Sequence, residues 1–128
     1  MKILLVEDDE TTREGMVDVI DLMLPDAEIL TSGDPDTASQ LIETFRQAID
    51  IIIADGHLGK HRREGLLLLE QARKTGIANL IFFSGQSIDE DEKKPDIHYL
   101  QKGTDPVNLE RLLQQISSTS GVKYQPPL

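Results

Sequence analysis

The sequence predicts an α/β protein, a doubly wound sheet of five parallel strands with helices on both faces. Two patterns lead there. Short apolar runs recur without the alternation of a half-exposed strand, and between them stand stretches whose apolar residues repeat at helical spacing. Regular alternation of strand and helix is what a parallel sheet requires, because each strand must be followed by a crossover that carries the chain back to the starting end of the sheet.

The elements follow in order. Ile3 to Val6 is the first strand, and Thr12 to Leu24 the first helix, with Met16, Val19, Ile20 and Met23 on one side and Pro25 closing it. Ala27 to Leu30 is the second strand. Asp34 reads as an N-cap before Pro35, which opens a helix to Phe45 that turns Ala38, Leu41, Ile42 and Phe45 inward. Ile49 to Ala54 is the third strand, Leu66 to Thr75 the third helix, and Gly76 its stop. After a fourth strand, Leu80 to Phe83, the run "SIDEDEKKPD" at residues 87 to 96 is mostly charged and carries a proline near its end. It predicts a short or irregular fourth helix. Ile97 to Leu100 is the fifth strand, and Asp105 with Pro106 opens the last helix. One domain over residues 1–118 is expected, with residues 119–128 a tail rich in Ser, Gly and Pro.

Composition removes several classes of function. The chain of 128 residues has a formal net charge of -10, which works against an unassisted grip on nucleic acid phosphates or an anionic membrane surface. No direct nucleic acid binding is expected. There is no cysteine, so disulfides, thiolate metal sites and cysteine nucleophiles are excluded together. The opening "MKILLV" is apolar for too few residues to form an export signal or a membrane span, and a cytoplasmic location is the expectation.

In open parallel sheets, functional groups collect beyond the carboxyl ends of the strands, where the strand order reverses. The residues arriving there are Glu7, Asp8 and Asp9 from the first strand, Asp55 from the third, Ser84 from the fourth and Lys102 from the fifth. If the strand order is 2-1-3-4-5, the reversal lies between the first and third strands, and Glu7, Asp8 and Asp55 then share a crevice. Clustered carboxylates repel one another, and one lysine cannot balance three of them. A hard divalent cation with oxygen ligands is the complement. Mg²⁺ in particular accepts one or two carboxylates with several waters and leaves room for a phosphoryl group.

The segments "LLVEDDETTR", "IIIAD", "FFSG" and "YLQKG", in this order and spacing, resemble the receiver domain of two-component response regulators. The resemblance spans roughly residues 1 to 118 and implies a flavodoxin-like (βα)5 fold of order 2-1-3-4-5. It implies that Glu7 and Asp8 bind Mg²⁺, with Arg13 at the family's usual offset, and that Asp55 accepts a phosphoryl group. Ser84 and Lys102 match the hydroxyl and lysine that attend the transfer, and Tyr99 matches the aromatic switch residue. The main-chain carbonyl of His57 would complete the metal shell. The implied partners are a histidine kinase or histidine phosphotransfer protein and a downstream protein target, with homodimer formation left open. The protein would assist its own phosphorylation and dephosphorylation and would not be a metabolic enzyme.

Plainer readings stand beside these. Asp55 could cap a turn, Glu7, Asp8 and Asp9 could be a solvated first-turn cluster, and Ser84 and Lys102 could be ordinary turn and surface residues. A zinc site at Asp55, His57 and His61 lacks a third imidazole or a thiolate. A flavodoxin would need a phosphate-cradling loop after the first strand, where this chain places three acids. The competing function is a receiver-like interaction module that works without phosphoryl transfer. Gly59 and Gly103 feed it, since receivers usually carry proline there, as do a loop after Asp55 about two residues longer than usual and a shorter segment before the fifth strand. The basic run Lys60, His61, Arg62 and Arg63 is expected to be a solvated loop, or a patch that draws in an anionic phosphodonor.

Overall fold

The structure, a computed structural model, describes residues 1–55, 63–85, 91, 93–101 and 107–120. Its strands are β1 Lys2–Val6, β2 Glu28–Ser32, β3 Ile51–Asp55, β4 Asn79–Ser84 and β5 Ile97–Gln101. The helices are α1 Glu10–Met23, α2 Pro35–Phe45, α3 Arg63–Lys74 and α4 Val107–Ser120, with a 3-10 turn at Arg46–Ala48. All neighbouring strands are parallel and the order is β2-β1-β3-β4-β5, as expected. The order reverses between β1 and β3.

Strand alternation sorts the apolar residues into two cores, one on each face of the sheet. Leu4, Val6, Ile52, Ala54, Leu80 and Phe82 face α2 and α3. Ile3, Leu5, Ile51, Ile53 and Ile81 face α1 and α4, where Leu109, Leu112, Leu113 and Ile116 continue the helical repeat. Truncating a core residue such as Ile52 to alanine costs about 2–5 kcal/mol, because transfer energy is lost and a cavity remains.

Local chemistry sets the ends of the elements. Asp34 is the N-cap of α2, its carboxylate accepting from the Thr37 amide at 2.7 Å, and Pro35 follows in the first turn. The cap expected at Asp105 and Pro106 lies outside the described residues. The first helix begins at Glu10, earlier than its apolar repeat suggests, because Asp9 caps it: one carboxylate oxygen accepts from both the amide and the hydroxyl of Thr12. Leu24 and Pro25 end that helix, and Gly76 ends α3 at φ 96°, a left-handed conformation that suits glycine. The two residues before the third strand are tied to the preceding turn and to β1, where the Asp50 amide donates to the Lys2 carbonyl at 2.8 Å. Ile49 donates to the Arg46 carbonyl, and the Asp50 side chain accepts from the Lys2 amide.

Burial bears out the expectation that several strands are closed on both faces, and corrects one placement on α1. Only β1, β3 and β4 are nearly closed on both faces, whereas β2 and β5 are sheet edges and partly exposed. Val19, expected on the inner side of α1, is exposed, and Met16, Ile20 and Met23 alone bury that helix's core stripe with Val17 at its margin.

Between β4 and β5 the described residues hold no element of helix length, in line with the charged run there; residues 86–90 and 92 lie outside the description. Lys93 to Asp96 form an irregular run ending in a turn. Side chains of α3 hold it: Glu70 pairs with Lys94, and Arg73 meets Asp96 at 3.2 Å. The Tyr99 hydroxyl accepts from the Lys94 amide at 2.9 Å. The last helix runs to Ser120, past the boundary expected at residue 118, and residues 121–128 are outside the description. No helix among the described residues is long and apolar enough to cross a membrane.

Candidate functional site

Register alone brings the acids together. Val6 pairs with Ala54, so Glu7 and Asp55 leave the carboxyl ends of adjacent strands at one level, at the reversal point of the sheet. Both extend the alternation of Leu5 and Ile53, on the side of α1 and α4. Asp55 pairs with Phe83, and Ser84 with Gln101, which places the hydroxyl one step further along the same rim. Glu7 is 2 % exposed, Asp55 4 % and Ser84 1 %, while Asp8 is open to solvent. One carboxylate oxygen from each of Glu7, Asp8 and Asp55 lies within 4.8 Å of the other two.

The chain around these groups is tied down on several sides. The Glu7 amide donates to the Ser32 carbonyl at 3.0 Å, extending the β1–β2 ladder by one residue. Arg13 reaches back from α1, and its Nη1 donates to the Glu7 carbonyl at 2.7 Å. At Asp55 the constraint is Gly65, at the start of α3. A Cβ on Gly65 would stand 2.2 Å from the Asp55 main-chain oxygen and 3.4 Å from the Phe82 ring. The first turn of α3 therefore lies directly on the end of β3. The signal available in the sequence was a glycine directly before the helical pattern that begins at Leu66, where it weakens a first turn unless close approach demands it.

The donor set fits a hard divalent cation. Two buried carboxylates and one exposed carboxylate within a few ångströms present only oxygen, and the buried pair is costly to keep ionised unless a positive charge is shared between them. Of the other expected site residues, Ser84 reaches the rim, and Tyr99 is half-buried on the α3 side with its ring edge-on to Phe82, centroids 5.7 Å apart. His57, Gly59, Lys60, His61, Arg62, Lys102 and Gly103 lie outside the described residues, and of Arg63 only its place at the start of α3 is described.

No family model matches the sequence, and no curated protein matches it. Solved structures do. The receiver domain of the hybrid histidine kinase CckA superposes with a TM-score of 0.71 and 25% identity, covering 91% of this chain and 98% of that one. The chain has the receiver-domain fold. A response regulator receiver domain protein from Clostridium thermocellum gives a TM-score of 0.77 at 20% identity, with 94% and 96% of the two chains covered. The response regulator TrrA from Thermotoga maritima, solved in complex with Mg²⁺-BeF, gives 0.71 at 21% identity, with 90% and 97% covered. At those two identities the likeness is one of fold.

Proposed function

We propose that this receiver-fold chain accepts a phosphoryl group on Asp55, with Mg²⁺ held by Glu7, Asp8 and Asp55, and later loses it to water. The observation that supports the reading is the three-carboxylate cluster at the switch point of the sheet, Asp55 buried at the end of a rigid strand. The bound TrrA structure adds that a protein of this fold holds Mg²⁺.

In this reading an Asp55 carboxylate oxygen attacks phosphorus, an acyl phosphate bond forms, and the bond from phosphorus to the donor breaks with its electron pair leaving on the donor. Water later attacks the same phosphorus, which returns the Asp55 carboxylate and releases inorganic phosphate. When bound, Mg²⁺ supplies charge stabilisation for the oxygens of the transferring group. Glu7 and Asp8 would hold the ion with Asp55, and the family resemblance would add the main-chain carbonyl of His57, which lies outside the described residues. Ser84 binds the phosphoryl oxygens once they arrive, a role the family resemblance extends to Lys102, and that attraction moves the rim at Ser84. Tyr99, on the adjoining strand, transmits the change to a protein target. The donor is a histidine kinase or histidine phosphotransfer protein, and the protein acts in the cytoplasm, away from nucleic acid.

Incubation with acetyl phosphate, with and without Mg²⁺, tests the assignment. Intact mass should rise by one phosphoryl group only when the ion is present, and Asp55→Asn should gain none. Equal labelling of the variant, or none of the wild type, would favour the second reading, a receiver-like interaction module without phosphoryl transfer. That alternative draws on the short crossover, where the Tyr99 hydroxyl is engaged by the Lys94 amide.

A further inference from the structure

We infer that Arg13 is a positioning residue for the acidic pair, acting on Glu7 through its main-chain oxygen, and that Gly33 provides the space in which it does so. The inference rests on the Mg²⁺ reading above and assigns roles to two residues that the reading leaves unused.

Two of the three clustered carboxylates sit on the short connection from Glu7 to Asp9, and a ligand on a loop is only as well placed as its backbone. Both ends of that connection are secured, by the Glu7 amide on Ser32 and by the Asp9 cap on Thr12. The group between them is the Glu7 carbonyl. Arg13 takes it at 2.7 Å, and a hydrogen bond from a guanidinium is charge-assisted, roughly twice as strong as a neutral one. Rotation of the Glu7 peptide, which would swing both carboxylates, is thereby opposed.

Gly33, just after β2, closes over this contact. A Cβ there would stand 2.9 Å from Arg13 Nη1 and 3.8 Å from the Glu7 carbonyl oxygen. Its φ lies outside the left-handed region, so the backbone accepts alanine and the obstacle is the guanidinium. A permanent cation behind three carboxylates also offsets part of their repulsion. Position and charge can be separated: Arg13→Gln removes the charge, whereas Gly33→Ala keeps it and takes the space.

The test is calorimetric titration of Mg²⁺ into the full chain, wild type beside Arg13→Gln, Arg13→Lys and Gly33→Ala, with urea unfolding of each in chelator. Groups that orient metal ligands commonly contribute 10- to 100-fold in affinity, so Arg13→Gln and Gly33→Ala should each bind at least about tenfold more weakly once corrected for unfolded protein. Arg13→Lys should fall between, since lysine keeps the charge without the planar fork. If the wild type binds and Gly33→Ala and Arg13→Gln match its Kd, the positioning role is overturned and the Mg²⁺ reading stands. A weakening that vanishes after correction for unfolded protein overturns it equally. If the wild type itself fails to bind Mg²⁺, both readings fall together.

Discussion

Gly65 and Asp55 are in direct backbone apposition: a single added carbon on the glycine would come 2.2 Å from the aspartate's carbonyl oxygen. Neither partner can yield easily, because Asp55 is the last residue of a central strand and Gly65 lies in the first turn of α3. Gly65→Ala should therefore destabilise the fold by about 1–3 kcal/mol, the usual range for overpacking, although alanine is the better helix former. Urea unfolding measures it. A neutral or stabilising effect would mean that α3 does not rest on β3 as described.

The acid cluster carries a prediction of opposite signs in one variant. Without divalent ions, Asp55→Asn should melt higher than the wild type, since it removes one of three carboxylates that crowd each other. With Mg²⁺ the order should narrow or invert. An ion at about ten times its Kd adds roughly 1.4 kcal/mol to the wild type by mass action, and the variant has lost a ligand for it. Thermal melts in chelator and in millimolar Mg²⁺ decide this; a wild-type melting temperature indifferent to Mg²⁺ would remove the metal site.

The α2 cap sets a pH dependence. The Thr37 amide, and next the Thr37 hydroxyl, hold the Asp34 carboxyl below its ordinary value of 3.8. A group whose folded value is depressed stabilises the fold above its unfolded value, and that contribution is lost as pH falls through the folded one. The stability of wild type relative to Asp34→Asn should thus be greatest above pH 3.8 and shrink on further acidification. Urea midpoints of both proteins across an acid series give the difference directly, and a constant gap would mean that the carboxylate's charge adds nothing to the cap.

The strands and the acids at their ends were legible in the sequence because both follow from local patterns, whereas the sheet order came from the family resemblance. Uninterrupted apolar runs such as "DIIIAD" mark buried parallel strands, and a strand's last residue fixes which acid reaches the rim. Contacts made by the main chain left no such trace. The grip of Arg13 on the Glu7 carbonyl and the fit of Gly65 on Asp55 each join two residues that local pattern does not link: a glycine at the start of α3 hints at a close approach, but nothing in type or spacing names the partner of either contact. Val19 was misplaced because four apolar residues over two turns of α1 make a stripe wider than the core it meets, and the outermost stays in water.

Tyr99 supplies a test that distinguishes a moving switch from a fixed anchor. Its ring meets Phe82 edge-on at 5.7 Å, and its hydroxyl accepts from the Lys94 amide at 2.9 Å, so one side chain joins the sheet core to the short crossover. Tyr99→Phe keeps the ring and loses the acceptor. Because Lys94 is exposed and water can replace the hydroxyl, the change should cost only about 0.5 kcal/mol, whereas Tyr99→Ala also forfeits ring packing and should cost about 2 kcal/mol or more. The functional consequence is read at the Lys94 amide. If Tyr99 turns when Asp55 is phosphorylated, hydrogen exchange at Lys94 should quicken to the rate seen in Tyr99→Phe, and phosphorylation of that variant should add nothing further. Should Lys94 exchange at one rate in the phosphorylated and unphosphorylated wild type while Tyr99→Phe is faster than both, Tyr99 is an anchor for the crossover, and the signal leaves the site by another route.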